Sequence, residues 1–155
     1  NIAKYADAFG MNVFVYDPFL KINNPKIKQF SNINQMLRKC DAVNICIHLN
    51  KNNYRFFDKK KLNQLKKNCI LINTSRGEII DEKNLVKLIK SNKIKFYSTD
   101  VVSQEHKLPL TKSKIFDISH YDNVYITPHM AGLTYESEEI AFKISINNLR
   151  RFFKL

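Results

Sequence analysis

Residues 69–94, CILINTSRGEIIDEKNLVKLIKSNKI, decide the fold. The run opens with CILIN, a short apolar stretch that reads as a buried strand. Asp81 then stands where a helix N-cap belongs, and Leu85, Leu88 and Ile89 recur behind it at helical spacing. Ile94 begins a further strand that reaches Thr99. A strand, a helix and a strand joined by a long crossover make the βαβ unit of a parallel sheet.

Reading outward, the same alternation continues. Toward the C-terminus, Asn123 to Ile126 reads as a strand, and Tyr135 to Phe153 as a long helix with Ile140, Ile144 and Phe152 on its apolar side. Toward the N-terminus, Asp58 caps a helix that carries Leu62 and Leu65. It is preceded by a buried strand, AVNICI at 42–47, which stops at His48. Ser31 is the expected N-cap of a short helix reaching Cys40, after a Lys/Asn-rich connection. Asn12 to Tyr16 is another buried strand, ended by Asp17-Pro18. The opening residues 1–9 have helical spacing through Ile2, Ala6 and Phe9, with Gly10 as the C-cap. No internal repeat or low-complexity linker divides the chain, so its 155 residues suggest one α/β unit.

Composition narrows the function classes. Lys plus Arg number 26 against 14 Asp plus Glu, a net charge of +12 that invites a nucleic-acid reading. The make-up opposes it: Lys outnumbers Arg 21 to 5, and Lys, Asn and Ile together account for 57 residues, the mark of an AT-rich coding sequence. The lysines are also spread along the chain rather than gathered into one arm, so no nucleic-acid partner is expected. No apolar run is long enough to span a membrane, and the N-terminus has no signal-peptide pattern. Cys40, Cys46 and Cys69 form no CxxC pair and read as small core residues. The expectation is therefore no metal, no disulfide framework and a cytoplasmic setting.

In parallel sheets ligands bind beyond the carboxyl ends of the strands. A polar or ionisable group follows every expected strand: Asp17, His48, Thr74-Ser75-Arg76-Gly77, Asp100 and Pro128-His129. One such residue means little, but the set suggests a lined cleft. An acid closing the second strand of a dinucleotide fold accepts hydrogen bonds from the adenosine ribose and repels the additional phosphate of NADP, and Asp17 is placed for this. Asp-Pro can equally just start a turn. The fingerprint glycines should precede that acid by roughly 20 residues, which is before Asn1, and the chain has only Gly10, Gly77 and Gly132.

Four segments in this order and spacing, AFGMNVFVYDP, LINTSRGEIIDEKNLVKLIKSNKI, STDVVSQE and ITPHMAGLT, resemble the nucleotide-binding domain of the D-isomer-specific 2-hydroxyacid dehydrogenases. That family includes phosphoglycerate, glycerate, D-lactate and formate dehydrogenases. The resemblance covers essentially the whole chain. It implies a Rossmann-type α/β fold with helices on both faces of a parallel sheet, here lacking the first strand and the glycine-rich loop. Residues 1–155 are then a partial NAD-binding domain whose substrate-binding partner domain lies outside the chain. Without the first strand, which is central in the 3-2-1-4-5-6 order, the second and third strands cannot join the fourth. The chain alone is expected neither to bind NAD tightly nor to turn over.

The resemblance also implies a catalytic Arg, Glu and His, which fall on Arg76, Glu105 and His129. The chemistry supports each one. Hydride transfer to or from a 2-hydroxy acid requires movement of the hydroxyl proton, which suits a His with an ordinary pKa of about 6.5. A carboxylate on its other ring nitrogen fixes the tautomer, and a guanidinium holds a carboxylate or polarises an oxo group. Implied NAD contacts come from Asp17, Leu49, Thr74, Ser75, Arg76, Asp100, His129 and Gly132. The implied substrate is a small 2-hydroxy or 2-oxo acid, phosphoglycerate being one candidate, and the implied assembly of the full-length parent is a homodimer. A non-enzymatic NAD-sensing relative, corepressor-like, and an inactive fragment are the alternatives. Two positions depart from the pattern: Asn50 and His106 stand where the family has Pro. Both departures are expected to loosen their loops, and His106 and His120 match no motif and read as surface residues.

Overall fold

The computed structural model describes residues 1–107 and 113–154. Among them the chain forms α1 (Ile2–Ala8), β1 (Val13–Val15), β2 (Ile27–Gln29), α2 (Ile33–Leu37), β3 (Ala42–Ile45), α3 (Lys59–Gln64), β4 (Cys69–Asn73), α4 (Glu82–Lys90), β5 (Ile94–Thr99), β6 (Val124–Ile126) and α5 (Tyr135–Phe153). Short 3-10 turns cover Gly77–Ile79 and Lys114–Ile118.

The expected βαβ unit is the centre of the molecule. β4 pairs in parallel with both β3 and β5, and β5 with β6, giving a four-stranded sheet in the order β3-β4-β5-β6. Cys69, Leu71 and Asn73 of β4 are buried, and Ile70 and Ile72 between them are half-buried, so both faces of the strand are covered. Asp81 caps α4 by accepting from the Asn84 amide at 3.2 Å. The helix turns Leu85, Val86 and Ile89 into the core against β5 and the Lys114–Ile118 turn. α2, α3 and α4 pack in series, and α3 is capped by Asp58, whose carboxylate accepts from the Lys61 amide at 2.8 Å. The sheet's register aligns Ile45, Asn73, Thr99 and Ile126 in one row, so the residues after all four strands emerge together. This is a Rossmann-like arrangement.

β1 and β2 form a second, two-stranded parallel sheet that shares no ladder with the first. The strand at 12–16 stays out of the larger sheet as expected, but the expectation that the next strand read from the sequence, 42–47, could not join 69–73 is corrected: β3 pairs with β4 directly, over Ala42–Ile45 and Ile70–Asn73. β2 itself was not expected. Its three residues are interrupted by Lys28, too short and too polar to stand out from the Lys/Asn-rich connection. The strand forms because Val13–Val15 offers an edge to Ile27–Gln29 and because Phe14 and Phe30 pack edge to face at 5.3 Å.

Four further expectations are corrected. Asn32, not Ser31, caps α2, accepting from the Asn34 amide at 2.9 Å, and the helix ends at Leu37 rather than Cys40. β3 stops at Ile45 because the Ile47 amide leaves the ladder and donates to Ser75 Oγ at 3.0 Å. Cys46 is exposed beside the Asn44 amide, whereas Cys40 and Cys69 are buried as expected. α5 forms over the expected span, but no residue in it is buried, and Ile140, Ile144 and Phe152 are all exposed. Gly10 does adopt the left-handed conformation of a cap, with φ of 72°.

Candidate functional site

The aligned strand ends build the site. Asn73, fully buried at the end of β4, shapes the next turn: its Oδ1 accepts from the Ser75 amide and its Nδ2 donates to the Arg76 carbonyl, both at 3.0 Å. Ser75 Oγ then donates to the Ile45 carbonyl at 3.0 Å while accepting from Ile47, which ties the NTSRG turn to the end of β3. Between these two strand ends lies a cleft of about 280 Å³ lined by Cys46, Ile47, His48, Leu49, Thr74, Ser75 and Arg76. The structure thus brings Leu49, Thr74, Ser75 and Arg76 together. The Arg76 guanidinium is exposed and donates to the Ser75 carbonyl at 2.6 Å.

The ends of β5 and β6 form the second part. Thr99 Oγ1, buried, donates to the Asn73 carbonyl at 3.1 Å, and the Asp100 amide donates to the same carbonyl at 3.0 Å. Asp100 Oδ1 accepts from the Thr127 hydroxyl and, at 3.0 Å, from the His129 amide. Asp100 thereby holds the backbone of His129, which has a φ of 54°. The imidazole in turn meets Glu105: Nδ1 and Oε1 are 2.9 Å apart. A carboxylate can only accept, so Nδ1 carries the proton and Nε2 is the free nitrogen. The His129 side chain is 41% exposed and that of Glu105 30%, so the pair remains open to a ligand.

Gly77 fits where no other residue could. A Cβ there would lie 2.1 Å from the Ser103 amide nitrogen and from the Val102 carbonyl carbon. The space left by the missing side chain is taken up by the backbone that leads to Glu105. Three residues of the site region were missed. Asn73 was legible as the polar end of an apolar run, while Glu78 and Glu82, which accept from the Gln104 and Ser103 amides at 2.8 Å, carried no sequence signal.

The loop after β3 is not loosened by Asn50. Its side chain accepts from the amides of Asn52 (2.8 Å) and Asn53 (3.2 Å), Asn53 Oδ1 accepts from the Asn50 amide at 2.7 Å, and Asn53 Nδ2 donates to the His48 carbonyl. Side-chain turns supply the order that a Pro ring would have given. His106 and His120 are exposed, as expected.

Asp17 stands apart from these groups. Its Oδ1 accepts from the amides of Phe19 (2.8 Å) and Leu20 (3.1 Å), so it does start a turn, and it lines a separate hollow of about 650 Å³ beside β1 and β2. Gly132 lies in an exposed turn with nothing within 4 Å of its Cβ position. A dinucleotide has fitting groups at both ends: Asp17, with Oδ2 uncommitted in this turn, for ribose hydroxyls, and the Leu49–Thr74–Ser75–Arg76 cleft with Asp100 for the nicotinamide end. The three glycines of the chain form no phosphate-binding fingerprint between these ends.

Burial shapes other groups of the sheet. Desolvation pushes the Cys69 thiol from 9.0 up to about 11, and the Tyr97 hydroxyl is likewise shifted upward by burial. Among the described residues no group of three or more His, Cys, Asp or Glu is placed to hold a metal, and no helix is long and apolar enough to cross a membrane.

A parallel sheet with a polar strand-end row and a His–Glu pair places the chain among the NAD-binding domains of oxidoreductases. Residues 1–131 match the family described as D-isomer specific 2-hydroxyacid dehydrogenase, NAD binding domain, and the chain belongs to that family. It is 30% identical over 154 residues to (S)-sulfolactate dehydrogenase of Chromohalobacter salexigens, covering 97% of this chain and 48% of that protein. The D-lactate dehydrogenase of Aquifex aeolicus, solved with NAD and lactic acid, matches with a TM-score of 0.86 at 26% identity, over 99% of this chain and 47% of that one. An acyclic imino acid reductase solved with NADPH and D-Arg matches with a TM-score of 0.80 at 28% identity, over 99% and 47% respectively. The chain spans about half the length of these relatives.

Proposed function

We propose that this chain is the NAD-binding part of an enzyme that transfers a hydride between NAD and a D-2-hydroxy acid or its 2-oxo acid, with a phosphoglycerate-like acid among the candidate substrates. The observation that carries the reading is the 2.9 Å contact between His129 Nδ1 and Glu105 Oε1 at the carboxyl rim of the sheet. NAD, when bound, supplies the hydride donor or acceptor. On reduction of the oxo acid, His129 gives the proton on Nε2 to the oxo oxygen as the carbon is reduced; on oxidation it takes the hydroxyl proton back. Glu105 holds Nδ1–H and stabilises the imidazolium. The guanidinium of Arg76 binds the acid's carboxylate and polarises its oxo group.

The remaining assignments concern the cofactor. Asp17 takes the ribose hydroxyls, Leu49, Thr74 and Ser75 line the nicotinamide, Asp100 offers its second oxygen to the carboxamide, and the His129–Gly132 turn closes over it. Asp17 also favours NAD over NADP by repelling a ribose phosphate. The substrate-binding domain belongs to the rest of a longer polypeptide, which acts as a cytoplasmic homodimer.

The test is a panel assay. The whole enzyme, given NADH and a series of 2-oxo acids, should oxidise NADH with at least one of them, while the 155-residue chain alone should show neither turnover nor micromolar NAD binding by calorimetry. Tight NAD binding by the whole protein without turnover on any acid would favour the corepressor-like NAD-sensing reading instead.

A further inference from the structure

Two carboxylates outside the proposed catalytic trio converge on the loop that carries Glu105. Glu82, in the first turn of α4, is buried. Its Oε1 accepts from the Ser103 amide at 2.8 Å, and its Oε2 accepts from Ser113 Oγ at 2.8 Å and the Lys114 amide at 3.0 Å. Glu78, on the preceding 3-10 turn, accepts from the Gln104 amide through Oε1 at 2.8 Å. Gln104 has a φ of 61°, a left-handed conformation that is unfavourable for a non-glycine residue. Next to it, Glu105 turns back so that Oε2 faces the Val102 amide at 3.4 Å and Oε1 meets His129. Gly77 admits this backbone at close range.

A buried carboxylate with three donors would by itself be explained as a brace for the fold. The two together do something more specific. They grip consecutive amides, Ser103 and Gln104, immediately before Glu105, and Glu78 holds Gln104, whose backbone is in the left-handed region. We propose that Glu78 and Glu82 are positioning residues for the Glu105–His129 pair: by fixing the Ser103 and Gln104 amides they set the direction in which Glu105 leaves the loop, and so which ring nitrogen of His129 carries the proton. Its bearing on catalysis rests on the functional reading above, but the geometry it concerns is measurable without turnover.

The experiment is nitrogen-15 NMR of the imidazole in the whole protein, with amide hydrogen exchange as a second readout. In the native chain, neutral His129 is expected in the Nδ1–H form. Glu78→Ala removes one acceptor on a half-exposed side chain; it should speed exchange at Gln104 by about tenfold, the effect of losing a hydrogen bond to a charged group. His129 should then move toward the tautomer mixture of a free imidazole. Glu78→Gln retains a carbonyl acceptor and should restore the native ring signals. Glu82→Ala should have the same effect as Glu78→Ala, through Ser103; if that variant does not fold, the Glu78 pair carries the test alone. Amide protection of Leu71 and Tyr97 reports that the core is intact. Unchanged ring signals in Glu78→Ala with a protected core, or failure of Glu78→Gln to restore them, would overturn the proposal. Absence of turnover in the whole enzyme would overturn the functional reading while leaving this result standing.

Discussion

The two parallel sheets differ in how their sequence is tied down. In β3–β6 the strands are flanked by helices, Leu71 is completely buried, and the groups after the strands are linked sideways by Asn73, Ser75, Thr99 and Asp100. In β1–β2 no residue is buried; the Asp17 carboxylate bonds only within its own turn, and the Asp17 carbonyl accepts from Gln29 Nε2 of β2 at 3.2 Å. The same motif element, a polar residue after an apolar strand, therefore has its side chain tied to neighbouring strand ends in one region and only to its own turn in the other. A strand-end side chain becomes part of a common site when several adjoining strands end in one row: the larger sheet supplies four such ends, whereas β1, though it too pairs in register, has β2 as its one ladder partner.

Substitution inside each sheet should expose the contrast most strongly. Leu71→Ala should cost about 2–5 kcal/mol in urea unfolding, as for a fully buried leucine. Val15→Ala, at a half-buried site, should cost about 1 kcal/mol or less. Equal losses would remove the distinction. Alkaline unfolding comes next. Folded Cys69 keeps its proton up to about pH 11, whereas an ordinary thiol releases it near 9.0, so the folded state binds more protons in that window. The contribution is fully present below pH 9 and is lost as pH rises to about 11, an effect of about 2–3 kcal/mol. Cys69→Ala should flatten that part of the stability profile. A profile that kept its slope would assign it to other groups.

Smaller effects distinguish positions within the site. Gly77→Ala should destabilise the chain by about 1–3 kcal/mol, because the new methyl group meets the Val102–Ser103 backbone, whereas Gly132→Ala, in open space, should be near neutral by thermal unfolding. Asp58→Ala should cost about 1 kcal/mol through loss of the α3 cap. The Lys61 amide holds the Asp58 carboxyl below the usual carboxylate range. Its contribution is therefore present above that range and fades as pH falls through it, so the variant should be less sensitive to acid than the native chain.

Sequence reading was strongest where periodicity and caps agreed. CILIN, Asp81 and the Leu85–Ile89 spacing placed β4 and α4 because each local signal pointed to the same packing. β2 escaped because three residues around Lys28 carry no pattern, and their pairing depends on an edge supplied from elsewhere in the chain. Arg76, Glu105 and His129 stood out through motif order, and the structure brings the last two into contact. The supporting carboxylates Glu78 and Glu82 were invisible: acidic residues at a helix start are common, and only the fold shows which amides they accept from. The expected loosening at Asn50 failed for a similar reason, since a ring of asparagine side chains ordered the loop in place of proline.

In the proposed reaction His129, held by Glu105, moves the proton as a 2-hydroxy acid and NAD exchange a hydride. The most direct measurement is kcat of the whole enzyme with its best 2-oxo acid, for the native protein, His129→Asn and Glu105→Gln. His129→Asn should lower kcat by about 10²–10⁴-fold, the range for removal of a general acid–base, and Glu105→Gln by a smaller factor, with NADH still bound. Native-like kcat in His129→Asn would contradict the account.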